Sequence, residues 1–179
     1  RLALRTEQGR LLRGWALAMQ GEAADGVAHL RQALASPDAG PEALRSYWLA
    51  TLAEAYGRAG QPQTGLQVLA EAVTLMATTE MRWSEAEMSR LQGELRLQLA
   101  SPDVAQAEAC FQQALATARH QDAKSLELRT AMSLARLWQQ QGQRAEAHAL
   151  LAPIYGWFTE GFDTADLQEA QALLDELVG

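Results

Sequence analysis

Small and large apolar residues recur among polar ones in one pattern that appears four times along the chain. It reads Gly26, Leu30, Ala33, Leu34, then Gly65, Leu69, Ala72, Val73, then Ala107, Phe111, Ala114, Leu115, and last Ala147, Leu151, Ile154, Tyr155. In each copy a large apolar residue follows a small one by four positions, and two further apolar positions lie three and four beyond it. That spacing predicts one face of a helix. The copies begin at 26, 65, 107 and 147, so the steps are 39, 42 and 40 residues. A near-constant period of this size marks stacked supersecondary units, and the expected fold is an all-α solenoid.

Between the copies the same reading supplies partner helices. Residues 1 to about 20 carry Leu4, Leu11, Leu12, Trp15 and Met19 on one broad apolar face, and Gly21 ends that helix. Turn formers at 36–41 close the first unit, with Pro41 placed as the first residue of the next helix. Glu42 to about Ala59 gives the clearest first helix of a pair, and Gly60, Gln61 and Pro62 make its turn. The second copy runs to about Ala77, where Thr78 and Thr79 offer an N-cap for a third unit whose first helix spans Met81 to about Ala100, in a register left open by a residue or two. Ser101, Pro102 and Asp103 turn the chain, and Asp103 with Gln106 forms a capping-box pattern. The fourth unit runs from Ala123 to Phe158 with its turn at Gly142.

The tail differs from everything before it. Gly161 breaks the chain, Asp163 is placed to cap a final helix, and Phe162 and Leu167 are spaced as a hydrophobic staple. Leu167, Ala170, Leu174 and Leu177 make one apolar stripe, as the end of a solenoid requires if its last repeat is to be covered. The organisation expected is therefore one domain, 1–179, with units at about 1–40, 41–78, 79–121 and 122–160 and a capping helix at 163–178.

Composition narrows the function classes. Of 179 residues 48% are hydrophobic, enough for a core without disulfides, and 15 Lys and Arg stand against 22 Asp and Glu for a net charge of −7. That balance opposes nucleic acid as a partner. The lone Cys110 sits on the apolar face of the third copy and reads as a small buried hydrophobe. No apolar run approaches the length of a membrane span, and no secretory signal opens the chain, so a soluble, cytoplasmic protein is expected. A start at Arg1, inside an amphipathic pattern and without Met, reads as a piece of a longer protein.

These residues resemble the tetratricopeptide repeat (TPR) family. Leu49, Leu52, Ala53, Tyr56, Gly60, Gly65, Leu69 and Ala72 fall at its signature spacing, as do Ala131, Leu134, Ala135, Trp138, Gly142, Ala147, Leu151 and Ile154. The third unit matches through Ala107, Phe111 and Ala114, and the first through Gly14, Gly21, Leu30 and Ala33. The period near 40 exceeds the family's, the units lack its terminal Pro, and the first helices of units one and three fit poorly. Residues 123–177 further resemble the carboxyl end of large bacterial signalling ATPases of the AAA or signal-transduction type, in which such repeats follow a nucleotide-cyclase-like or winged-helix module and an NTPase module. The resemblance implies a right-handed solenoid of about four helix pairs plus a capping helix, and it carries no active site.

Reactive chemistry finds little support. Gly60 and Gly65 have the separation of P-loop glycines, but Leu66 and Gln67 stand where Lys and Ser or Thr must be. His29, His120 and His148 fall in different units without a second ligand at metal spacing. Trp138 takes the large apolar place of its helix, whereas Trp15, Trp48, Trp83 and Trp157 are undetermined, with one or two expected on the surface. The Glu85 and Glu87 pair and the Asp175 and Glu176 pair read as solvated helix faces. No catalytic residue, cofactor or metal site is assigned.

In the family resembled, the first helix of each pair lines a concave groove. Carried onto the two well-registered units, this gives Tyr47, Ala50, Glu54, Gly57 and Arg58, and Arg129, Met132, Arg136, Gln139 and Gln140. Arg129 and Arg136 lie two helical turns apart with Met132 between them, an arrangement that fits a carboxylate-bearing partner segment. The alternative is that each arginine pairs with a glutamate of a neighbouring helix. A non-catalytic scaffold for a protein or peptide, including another domain of the same polypeptide, is the leading expectation. A small-molecule effector sensor, favoured by a closed pocket, and self-association into a homo-oligomer stand beside it.

Overall fold

The structure is a computed structural model that describes residues 2–37, 39, 41–79 and 82–179, with the side chains of all of these but 2–5, 42 and 43. The expected roles of Leu4 on the first helix, of Asp38 and Gly40 in the first inter-unit turn, and of Met81 as a helix start lie outside the described residues. Among those described there are nine α-helices and no strand: α1 Leu2–Met19, α2 Ala23–Leu34, α3 Glu42–Arg58, α4 Pro62–Thr79, α5 Glu85–Leu97, α6 Val104–His120, α7 Lys124–Gln140, α8 Arg144–Tyr155 and α9 Ala165–Val178. A single 3-10 turn, Arg82–Ser84, leads into α5.

Consecutive helices pack as the hairpins α1–α2, α3–α4, α5–α6 and α7–α8, and α9 packs on both α7 and α8. The odd-numbered helices also touch one another in sequence, which makes them an inner layer. Three hairpin turns share one device. Gly21, Gly60 and Gly142 adopt positive φ, and the amide that follows each reaches back to a carbonyl in the helix just ended: Glu22 to Leu17, Gln61 to Tyr56, Gln143 to Trp138. This is the Schellman closure, which needs a left-handed residue and so favours glycine.

The small residue that opens each copy of the repeat pattern is explained by helix crossing. A Cβ on Gly26 would lie 2.7 Å from the Gly14 carbonyl oxygen, and one on Gly65 would lie 2.9 Å from that of Ala53, so the paired helices meet backbone to backbone there. Ala107 and Ala147 occupy the same place and are fully buried. The large residue four positions on, Leu30, Leu69, Phe111 or Leu151, is at most 2% exposed in every unit.

In the third unit the close approach moves to Gly93, where an added Cβ would lie 2.5 Å from Cε1 of the buried Phe111 ring. Alanine is intrinsically the better helix former by about 1 kcal/mol. Overpacking a fully enclosed ring costs more, so Gly93→Ala is expected to lose about 1–2 kcal/mol net in urea denaturation. A more stable variant would mean that the ring yields.

Several local expectations are corrected. On α1 only Leu11 of the described large apolar residues on the expected face is buried, while Leu12, Trp15 and Met19 are exposed. The helix meets α2 along Gly14 and Ala18, both against Gly26. Thr78 and Thr79 do not cap the next helix; they close the last turn of α4, their hydroxyls donating to the Leu75 and Met76 carbonyls. Pro41 is the residue before α3 rather than its first. Asp163 does not occupy the N-cap position of α9, which is Thr164, and the Phe162 ring packs at a tilt against Tyr155. Asp103 does cap α6, accepting from the Gln106 amide at 3.1 Å.

The final helix buries Leu167, Ala170, Leu173, Leu174 and Leu177 against the second of two core clusters, the one that holds Phe111, Leu128 and Leu151. Arg144 donates to the Glu176 and Leu177 carbonyls and so satisfies the end of α9. No helix among the described residues is long and apolar enough to cross a membrane.

Candidate functional site: a concave groove lined by the inner helices

Because α1, α3, α5, α7 and α9 form one layer, their outward positions share a concave surface. Three adjoining cavities run along it. A central one of about 300 Å³ is lined by Glu54, Gly57 and Arg58 of α3, Arg90, Glu94 and Leu95 of α5, Arg129, Met132, Ser133 and Arg136 of α7, and Asp166 and Glu169 of α9. Toward α1 a second, of about 370 Å³, shares Met19 with the first and adds Trp15, Tyr47, Ala50, Ser84 and Glu87. Toward the carboxyl end a third adds Gln139, Gln140, Ala172, Leu173 and Glu176. All ten residues placed in the groove by repeat register line this surface. Met132 is its floor, 3% exposed, and not a protruding apolar spot.

Ion pairs knit the groove from helix to helix. On α5, Arg90 forks onto Glu87 through Nε at 3.0 Å and Nη2 at 2.7 Å, and its Nη1 lies 3.4 Å from Glu94. The Ser133 hydroxyl of α7 donates to the same Glu94 carboxylate at 2.6 Å. Arg129 of α7 reaches back to Glu87 at 3.1 Å and forward to Asp166 of α9 at 3.9 Å. Arg136 meets Glu169 of α9 at 3.0 Å, and Arg58 meets Glu54 of its own helix at 3.1 Å.

Burial acts to raise the Glu87 carboxyl, but the hydrogen bonds and charge of Arg90, with Arg129 behind it, outweigh that and hold it below the usual carboxylate range. Burial likewise opposes the Arg90 cation, and Glu87, Glu94 and Glu54 more than restore it. Glu87 is therefore the centre of a largely enclosed network, not part of a solvated face. Its spacing with Arg90 and Glu94, three and then four residues apart, is the ion-pair pattern of a helix face and could have marked this cluster in the sequence. The open register of the third unit hid it.

Around the groove lie six carboxylates, Glu54, Glu87, Glu94, Asp166, Glu169 and Glu176, against the four arginines 58, 90, 129 and 136. Each of those arginines has a carboxylate partner, so the pairing of Arg129 and Arg136 with neighbouring helices is the arrangement present. Sequence reading missed Trp15 and Met19 of α1 and Asp166 and Glu169 of α9 as groove residues.

Other candidate groups lie elsewhere. Trp138 packs against the second core and donates from Nε1 to Glu108 at 2.9 Å, while Trp15, Trp83 and Trp157 are exposed, three where one or two were expected. Cys110 is buried; burial raises its thiol, with Asp103 adding to the effect and Arg96 opposing it. Among the described residues no three His, Cys, Asp or Glu side chains come together as a metal site.

No protein-family model matches the chain, and no curated protein matches it in sequence. Solved structures do. A kinesin light chain-like protein of Podosopora anserina with nearly identical TPR-like repeats superposes with a TM-score of 0.66 at 20% identity, covering 98% of this chain and 86% of that one. A point variant of the same protein gives a TM-score of 0.64 at 20% identity, covering 99% and 95%. At that identity the likeness is one of fold: the chain is a solenoid of TPR-like repeats.

Proposed function

We propose that this TPR-like array is a non-catalytic interaction scaffold whose concave groove holds an extended segment of a protein or peptide, from a separate partner or from elsewhere in its own polypeptide. The observation that carries the reading is the continuous, open groove, polar at its centre and apolar toward α1, to which all five inner helices contribute. Extended concave surfaces are what stacked repeats present, and the ion pairs between α5, α7 and α9 hold this one in shape before anything binds, which lowers the ordering cost of association. A small-molecule sensor would be served better by an enclosed pocket. The resemblance of residues 123–177 to signalling ATPases supports a regulatory array within a larger cytoplasmic bacterial protein as the finer form of this reading.

Peptide selection from a random library against the purified chain tests it. Selected peptides should lose about tenfold or more in affinity when Tyr47→Ala or Arg136→Ala is introduced in the groove, and should be indifferent to Val73→Ala on the exposed side of α4. Peptides that respond to Val73 and ignore both groove positions would place binding on the wrong face.

A further inference from the structure

The α1 end of the groove is unlike the rest. Trp15 and Met19 are 44% and 43% exposed, and beside them the Tyr47 ring packs against Trp48 and Trp83, each at 5.1 Å between centroids. Trp83 is itself 48% exposed. Large apolar side chains gathered on a surface mark a contact site. Directly after Trp83, Ser84 lines the same cavity at 3% exposure, and its Oγ has no hydrogen-bond partner. A buried hydroxyl is costly to leave unpaired, and this one borders a space that a ligand could fill.

Charge selects among ligands. The cavity carries the carboxylates of Glu54, Glu87 and Asp166 and the cation of Arg129; Glu54 is paired with Arg58 and Glu87 with Arg90, and along the whole groove six carboxylates face four arginines. The amino terminus of α9 also opens on it, but Asp166 in the first turn offsets that positive end. Glu87 is engaged by Arg90 and Arg129, whereas Asp166 lies 3.9 Å from Arg129 and is 46% exposed, which leaves it the more available acceptor.

We infer that this cavity is a subsite for a lysine or arginine side chain of a bound peptide segment, with an apolar residue beside it on the exposed aromatic patch. The methylene stem lies along Trp15, Met19 and Tyr47, the cationic head meets Asp166, and the aromatic faces add cation–π attraction. The inference rests on the scaffold reading and deepens it by naming the chemistry recognised, which is opposite in sign to the carboxylate segment suggested by Arg129 and Arg136 alone.

The test uses the full chain and two fluorescein-labelled peptides, Gly-Lys-Leu-Arg-Leu-Gly and its counterpart with Glu at both basic positions, read by fluorescence polarisation. The basic peptide should bind at least about tenfold tighter than the acidic one, and its binding should weaken as salt rises from about 50 to about 300 mM. Trp83→Ala and Asp166→Asn, both at exposed positions, should each reduce binding at least about fivefold with unchanged thermal melting. Spermidine, which has the charge without the apolar side chains, should compete poorly. Equal or preferential binding of the acidic peptide, retention of affinity in both variants, or spermidine competing as well as the peptide would overturn the inference and leave the scaffold reading standing. Absence of binding by either peptide also overturns it, and the library selection then decides separately whether the groove binds peptides at all.

Discussion

A chain ended at Glu160 is expected to melt about 10 °C or more below the full chain and to aggregate on heating. The helix it lacks, α9, places Leu167, Leu173, Leu174 and Leu177 at 4 to 8% exposure against the second core cluster. At roughly 1.5–3 kcal/mol for each buried leucine, the four contribute some 6–12 kcal/mol before the entropy of ordering the helix is subtracted. The gross figure is comparable to the whole net stability of a domain, about 5–15 kcal/mol. Truncation also exposes Leu151 and Ile154, which are 0% and 7% exposed with α9 in place, so a new apolar face would drive association. Scanning calorimetry with light scattering reads both effects. Unchanged melting of a monomeric truncated chain would mean that α9 covers nothing of consequence.

Removing one partner from the α5 ion pair should be the most damaging single change in the groove. Glu87→Ala leaves the Arg90 guanidinium, whose side chain is only 9% exposed, with the Glu94 carboxylate and the Ser133 hydroxyl, each at 3.4 Å. Breaking a buried pair from one side costs about 3–5 kcal/mol, and the residual Glu94 contact places the expected loss near the lower end, about 3 kcal/mol. Replacing both residues, Glu87→Leu with Arg90→Met, should recover most of it, because no uncompensated charge then stays buried. Acid provides an independent check. The folded Glu87 carboxyl sits below its unfolded value, so its contribution to stability is complete above about pH 4.3 and disappears as pH falls through the lower, folded value. The wild type should therefore lose stability more steeply than the double variant below about pH 4, measured by urea denaturation across pH. Parallel acid profiles would contradict that assignment.

The repeat skeleton was legible because helix crossing repeats the same demand in every unit. A small residue at positions 26, 65, 107 and 147 lets two backbones meet, and a large one four later fills the space beyond. Local signals at the ends of helices were less reliable guides. Thr78 and Thr79 satisfy a start or a stop equally well, because a threonine hydroxyl can accept from an amide ahead of it or donate to a carbonyl behind it. Asp163 was a plausible cap displaced by its neighbour Thr164. On α1 the broad apolar face over-stated burial, since periodicity says which residues share a face and not whether a second helix covers it; Trp15 and Met19 consequently line the groove. The groove of α3 and α7 followed from register, while that of α5 and α9 did not. The register of α5 was left open by the sequence, and α9 was read only as a cover for the last repeat.

Binding through the groove confines contact to the inner helices. Its most direct test is backbone amide chemical-shift mapping of the isotope-labelled chain titrated with the tightest peptide from the library selection. Perturbations should concentrate on α3, α5 and α7, above all around Tyr47, Glu54, Glu87 and Arg129, with α4, α6 and α8 largely unmoved away from the peptide. Perturbations centred on the outer helices, with those four positions silent, would contradict it.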